Sequence, residues 1–128
     1  NHFMDEQDLY KEIILDHYHH PRKSGKMAIY THLSHIDNPF CGDTIDVYLK
    51  VIDGTVTDAS FEGSGCAISV ASASLLFDSL TGKTIAQIQR ITTENILALL
   101  HTRQLTPARL KCALLPLEAV HRALNEKK

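Results

Sequence analysis

The stretch Ile45-Asp46-Val47-Tyr48-Leu49-Lys50-Val51-Ile52-Asp53-Gly54-Thr55-Val56-Thr57-Asp58-Ala59-Ser60-Phe61-Glu62-Gly63-Ser64-Gly65-Cys66 decides the fold. Ile45, Val47, Leu49 and Val51 alternate with Asp46, Tyr48 and Lys50, the pattern of a half-buried strand. Asp53-Gly54 is a hairpin turn signal, because glycine accepts the positive φ that a tight turn requires. Val56 to Phe61 is then the return strand. Cys41 precedes one strand and Cys66 follows the other. An antiparallel hairpin places those two ends side by side.

Working outward, Gly63-Ser64-Gly65 bends the chain into a helix expected over about Cys66 to Leu80, rich in small residues and closed by Gly82. Thr84 can cap a short helix, and Thr92 or Thr93 another. Thr106-Pro107 is a further start signal. Upstream, Asp5 can cap a first helix carrying Leu9, Tyr10, Ile13, Ile14 and Tyr18, which Pro21 ends. Ile29 to Ile36 reads as a strand. Pro116 would clash with the carbonyl of Cys112 in one continuous helix, at about 3 kcal/mol. The reading is therefore two helices with a break at Cys112, which puts Cys66 and Cys112 both at helix N-termini, where thiolate is favoured.

Three cysteines and one carboxylate stand in these contexts: Cys41-Gly42-Asp43, Gly65-Cys66 and Lys111-Cys112. Three thiolates and a carboxylate make a full tetrahedral set for one soft metal or one small iron–sulfur cluster. A site of four cysteines within one chain is excluded. The set carries four negative charges, which Zn²⁺ or a [2Fe–2S]²⁺ core halves. Arg109 and Lys111 flank the third cysteine and are candidates for lowering its pKa or holding an anionic persulfide; a solvated helix end is the plain alternative. His17, His19 and His20 crowd one helix end and are read as facing water. His32, His35, His101 and His121 show no ligand pairing.

The totals set limits. The 128 residues are a single-domain length, 44% apolar and 22% charged, enough to bury a core without disulfides. A net charge of −2 without a basic cluster gives no footprint for nucleic acid. No apolar run approaches the roughly 20 residues of a membrane span. An odd number of cysteines fits a reducing compartment, and a cytoplasmic location is expected. Asn1–Phe3 read as a remnant of expression ahead of Met4.

With these motifs in place, the chain resembles the iron–sulfur cluster assembly scaffolds of the IscU, SufU and NifU N-terminal type. The resemblance runs from about Leu9 to Leu124. Its most specific stretches are Asp16-His17-Tyr18 with Pro21-Arg22, Asn38-Pro39 with Cys41-Gly42-Asp43, Phe61-Glu62-Gly63 with Gly65-Cys66, Ala71-Ser72-Ala73-Ser74, and Arg109-Leu110-Lys111-Cys112. Lys111 stands where IscU-type members carry histidine, and Pro107-Ala108-Arg109 resembles SufU. The 45 residues between Cys66 and Cys112 match IscU-type spacing and lack the insertion usual in SufU. Leu105-Thr106-Pro107-Ala108-Arg109 replaces the IscU chaperone motif, so the resemblance does not carry over a dedicated Hsp70-type partner.

The resemblance implies an α+β fold of SufE/NifU-like type, a small antiparallel sheet of about three strands against five to six helices, in one domain over residues 1–128. It implies a metal set of Cys41, Asp43, Cys66 and Cys112, a transient [2Fe–2S] cluster and Zn²⁺ in the resting protein. Cys112 is read as the sulfur acceptor, because it lies at a separate helix junction that can swing away, while the hairpin holds Cys41 and Cys66 together. His17 falls at a family position that implies a structural hydrogen bond. The implied partners are a cysteine desulfurase of SufS/IscS type and recipient apo iron–sulfur proteins, with no nucleic acid or membrane, as a monomer or weak homodimer. Three classes compete. The first is a scaffold and sulfur acceptor. The second is a zinc-dependent sulfurtransferase that activates a desulfurase and never holds a cluster. The third is a zinc-stabilised binding module.

Overall fold

The computed structural model describes residues 6–39 and 42–125. Three readings fall outside those residues: Asn1–Phe3, the Asp5 cap, and the position of Cys41. The order of elements is α1 (Glu6–His19), β1 (His32–Asn38), β2 (Asp43–Ile52), β3 (Thr55–Ser64), α2 (Ala67–Asp78), α3 (Ile85–Gln89), α4 (Thr93–Leu99) and α5 (Pro107–Asn125). The strands form an antiparallel meander in the order β1-β2-β3.

Alternation decides which face of the sheet is inside. Asp43, Ile45, Val47 and Leu49 on β2 are buried, while Asp46, Tyr48 and Lys50 are only half-buried on the other face. Val47 pairs with Phe61 on β3, and the Phe61 ring meets Phe77 of α2 at 5.1 Å between centroids. The turn is where the sequence placed it, with Asp53 and Gly54 both at positive φ (53° and 76°). Lys50 pairs with Asp58 and Val51 with Val56, so β3 carries one extra residue, Thr57, opposite that step of β2. The free edge of β3 is covered at two places. Gly25 donates its N–H to the Phe61 carbonyl and the Phe61 N–H donates to Lys23, while Gly82 and Lys83 bond Val56. An edge closed in this way offers less template for pairing with another chain.

α2 and α5 pack on the inner face, and α1 packs on α2. The Ala-Ser run of α2 is buried through Ala71, Ser72, Ala73 and Ser74, which allows close approach of its neighbours. Thr84 and Thr92 each cap a helix through a full capping box, with Gln87 and Asn95 closing it from the third position. The first strand begins at His32 rather than Ile29, and Ile29 is 73% exposed.

The two-helix reading around Cys112 is overturned. α5 is continuous from Pro107 to Asn125, with Pro116 inside it and Cys112 in its second turn, not at an N-terminus. Burial is the reason. Ala113, Leu115, Pro116, Leu117, Ala119, Val120, Ala123 and Leu124 all enter the core, which outweighs about 3 kcal/mol for a misplaced proline. Two serine hydroxyls also fasten the helix from outside. Ser72 donates to the Ala113 carbonyl and Ser34 to the Ala119 carbonyl, each at 2.6 Å.

Candidate metal centre

Three elements converge at one end of the sheet. β2 begins at Asp43, α2 begins just after Cys66, and α5 brings Cys112 across from its second turn. One ligand atom from each of Asp43, Cys66 and Cys112 lies within 4.8 Å of the other two. A tetrahedral ion with bonds of about 2.0–2.3 Å separates its ligand atoms by roughly 3.3–3.8 Å. The trio thus needs only a small contraction to close on an ion, and its two soft sulfurs and one oxygen suit zinc or iron. Cys41, the fourth residue of the expected set, lies outside the described residues. In sequence it stands two positions before Asp43.

Asp43 is 1% exposed, and Cys112 is 8% exposed. Cys66 is half-buried and occupies the N-cap of α2 in extended backbone geometry (φ −74°, ψ 161°), without capping through its own side chain. Asp43 meets that need. Its Oδ1 accepts the Cys66 N–H at 2.9 Å, and the Cys66 thiol donates to Oδ2 at 3.4 Å. A carboxylate at a helix N-terminus satisfies a backbone donor and faces the positive end of the dipole.

Arg109 and Lys111 lie with Cys66 and Cys112 along a groove of about 500 Å³, walled also by Asn38, Ile68 and Pro107. Among the described residues lining this groove are two cationic side chains, while the Asp43 carboxylate stands beside Cys66. Tyr10 of α1 is a residue the sequence did not mark for the site. Its hydroxyl is buried without a hydrogen-bond partner. Burial raises the Tyr10 pKa; the Arg109 guanidinium pulls it down and the Cys66 thiolate pushes it up. No motif marks Tyr10, because helical spacing alone makes it a core residue.

The described histidines stand apart from this trio. His17 Nδ1 shares a 2.7 Å hydrogen bond with Ser74 Oγ, which also accepts the Arg22 N–H at 2.8 Å. His17 therefore joins α1 to α2 rather than facing water. Burial lowers its pKa, as does the Arg22 charge. His121 bonds the Ile88 carbonyl. His35 bridges Asp46 and Asp37 on the outer face of the sheet, and its hydrogen bond to the Asp46 carboxylate raises its pKa.

Residues 9–128 match the NifU-like N terminal domain family. The chain belongs to that family. It is 35% identical to the iron–sulfur cluster assembly scaffold protein IscU of Thermotoga maritima over 133 aligned positions, covering 92% of this chain and 94% of the relative. It is 43% identical to the zinc-dependent sulfurtransferase SufU of Bacillus subtilis over 77 residues, 60% of this chain and 52% of that one. In structure, the NifU-like domain is similar to a SUF-system protein of Fervidobacterium islandicum described as an iron–sulfur cluster assembly scaffold. The TM-score is 0.76 at 28% identity, over 91% of this chain and 96% of that one. The three-stranded antiparallel sheet with five helices among the described residues is the NifU-like architecture that the resemblance implied.

Proposed function

We propose that this NifU-like domain is an iron–sulfur cluster assembly scaffold. It accepts sulfur from a cysteine desulfurase and builds a labile [2Fe–2S] cluster on Cys41, Asp43, Cys66 and Cys112, which passes to recipient apo-proteins. The observation that carries this reading is the convergence of the Asp43, Cys66 and Cys112 ligand atoms within 4.8 Å. Cys41 completes the set as the remaining thiol of the chain, two residues before Asp43. The kinship with scaffold proteins supports the cargo.

Cys112 is the proposed sulfur acceptor. Its position inside α5 removes the hinge on which a swinging thiolate would depend. The assignment rests instead on Arg109 and Lys111, which share its groove and suit a bound persulfide anion. The Cys112 thiolate attacks the outer sulfur of the donor enzyme's persulfide. A new S–S bond forms on Cys112, the donor's S–S bond breaks, and the donor cysteine leaves as thiolate. No external oxidant or reductant enters this step.

The donor set also fits Zn²⁺ as resting occupant; when bound, that ion would keep the thiols deprotonated. The similarity to a zinc-dependent sulfurtransferase over 77 residues favours a second reading, activation of a desulfurase without a cluster. No helix among the described residues is long and apolar enough to cross a membrane. A single domain working in the cytoplasm accords with this reading.

Anaerobic reconstitution with a cysteine desulfurase, cysteine, ferrous iron and a thiol reductant, which with the iron supplies the electrons that turn persulfide sulfur into sulfide, tests it. Visible sulfide-to-iron charge-transfer bands with matched iron and sulfide are the expected result. A colourless protein that retains one zinc and speeds desulfurase turnover would establish the second reading instead.

A further inference from the structure

Taking Asp43, Cys66 and Cys112 as metal ligands, we infer that Gly65 is the positioning residue of the centre: its bare backbone is the surface against which the Asp43 carboxylate is held in ligand position. The hairpin register leads to it. Thr44 pairs with Ser64, so the next step along the ladder sets Asp43 against Gly65. A Cβ built on Gly65 falls inside the van der Waals envelope of the Asp43 carboxylate and only 2.8 Å from the Asp43 Cβ. Real Cβ atoms essentially never come within 3.0 Å of a heavy atom outside their own and adjoining residues. The φ of Gly65 is +151°, which L side chains rarely adopt.

The same approach fixes how the carboxylate is used. Oδ1 is committed to the Cys66 N–H at 2.9 Å, and Oδ2 lies on the side of the Cys66 sulfur. Asp43 thus presents Oδ2 on the sulfur side, with Oδ1 anchored to the start of α2. Any side chain at 65 forces the carboxylate away, and the oxygen donor goes with it. Gly65 touches no cargo itself. It acts through Asp43, and that dependence can be measured.

The test loads the full chain anaerobically with Co²⁺ and reads the d–d bands, then measures zinc affinity by chelator competition. Four proteins are compared: wild type, Gly65→Ala, Asp43→Gly and the double variant. Asp43→Gly removes the carboxylate and its Cβ together, so the double variant has room for the new methyl group. Gly65→Ala should lose at least tenfold in zinc affinity and give the cobalt spectrum of Asp43→Gly. In the double variant the alanine should cost no further affinity, because its target is already gone.

A Gly65→Ala protein with the wild-type spectrum and affinity overturns the inference, as does a double variant weaker than Asp43→Gly by the full single-variant factor. If Gly65→Ala fails to fold, a double variant that folds still supports collision with the carboxylate. Both failing to fold overturns it, because the glycine then serves the backbone alone. A wild-type chain that binds no cobalt overturns the metal-site reading, and this inference with it.

Discussion

In the proposed centre Asp43 is an oxygen donor among sulfurs, and oxygen is the harder donor. A cluster held partly by carboxylate leaves more readily than one held by thiolates alone. Asp43→Ala is therefore expected to weaken zinc binding by about tenfold or more, and Asp43→Cys, which puts a thiolate in its place, to lengthen the life of a reconstituted cluster. Chelator competition and decay of visible absorbance check the two effects. Wild-type values for both would remove Asp43 from the ligand set. Cys112→Ser is expected to abolish persulfide acceptance from a desulfurase, read by intact-mass analysis. A variant that still gains sulfur normally would move the acceptor to Cys41 or Cys66. Asp43 as a candidate ligand was legible from Cys41-Gly42-Asp43. Its bond to the Cys66 N–H was not, because that bond depends on how strand and helix meet.

At the scale of elements, the joints are hydroxyl bonds between packed backbones. Ser72 of α2 donates to a buried carbonyl of α5 at 2.6 Å. Ser72→Ala removes that bond and is expected to cost about 1 kcal/mol in urea unfolding, with little change in the dependence on denaturant. The joint between α1 and α2 depends on pH. The His17 pKa is lowered in the folded state, chiefly by burial, with Arg22 adding repulsion and Asp16 and Asp78 opposing it. The unfolded chain takes up that proton near pH 6.5, before the folded chain does. The stabilisation is thus fully present above about pH 6.5 and is lost as pH falls through the folded pKa. His35 has the opposite sign. Its raised pKa gives a contribution present below about pH 6.5 and lost as pH rises through the folded value. His17→Asn should flatten the acid-side fall in melting temperature between about pH 7.5 and about pH 5; an unchanged slope would show that His17 does not control the joint.

For the molecule as a whole, a metal held by Asp43, Cys66 and Cys112 would tie the start of β2, the start of α2 and the second turn of α5 together. These elements are distant in sequence, so a ligand that binds only the folded form stabilises all of them at once. Zinc at about one hundred times its dissociation constant should add about 2.7 kcal/mol. Metal removal by a chelator is expected to lower the melting temperature by several degrees, reversed on adding zinc back. A melting temperature indifferent to zinc and chelator would argue that no metal bridges the three elements.

The sequence by itself determined the hairpin, the Thr84 cap and the residue types of the candidate centre, and left the next cap open between Thr92 and Thr93. Each of these is local, set by alternation, by a two-residue turn or by a side chain three positions from its partner. The tertiary structure alone decided that α5 continues through Pro116, because the burial of its inner face outweighs a local penalty that the sequence displays openly. It alone decided the bulge at Thr57, opposite Lys50 and Val51. That one added residue shifts the ladder so that Asp43 stands against Gly65 rather than Ser64. An irregularity of one residue leaves no mark in an alternating pattern, because it answers to packing across the sheet and not to neighbours along the chain.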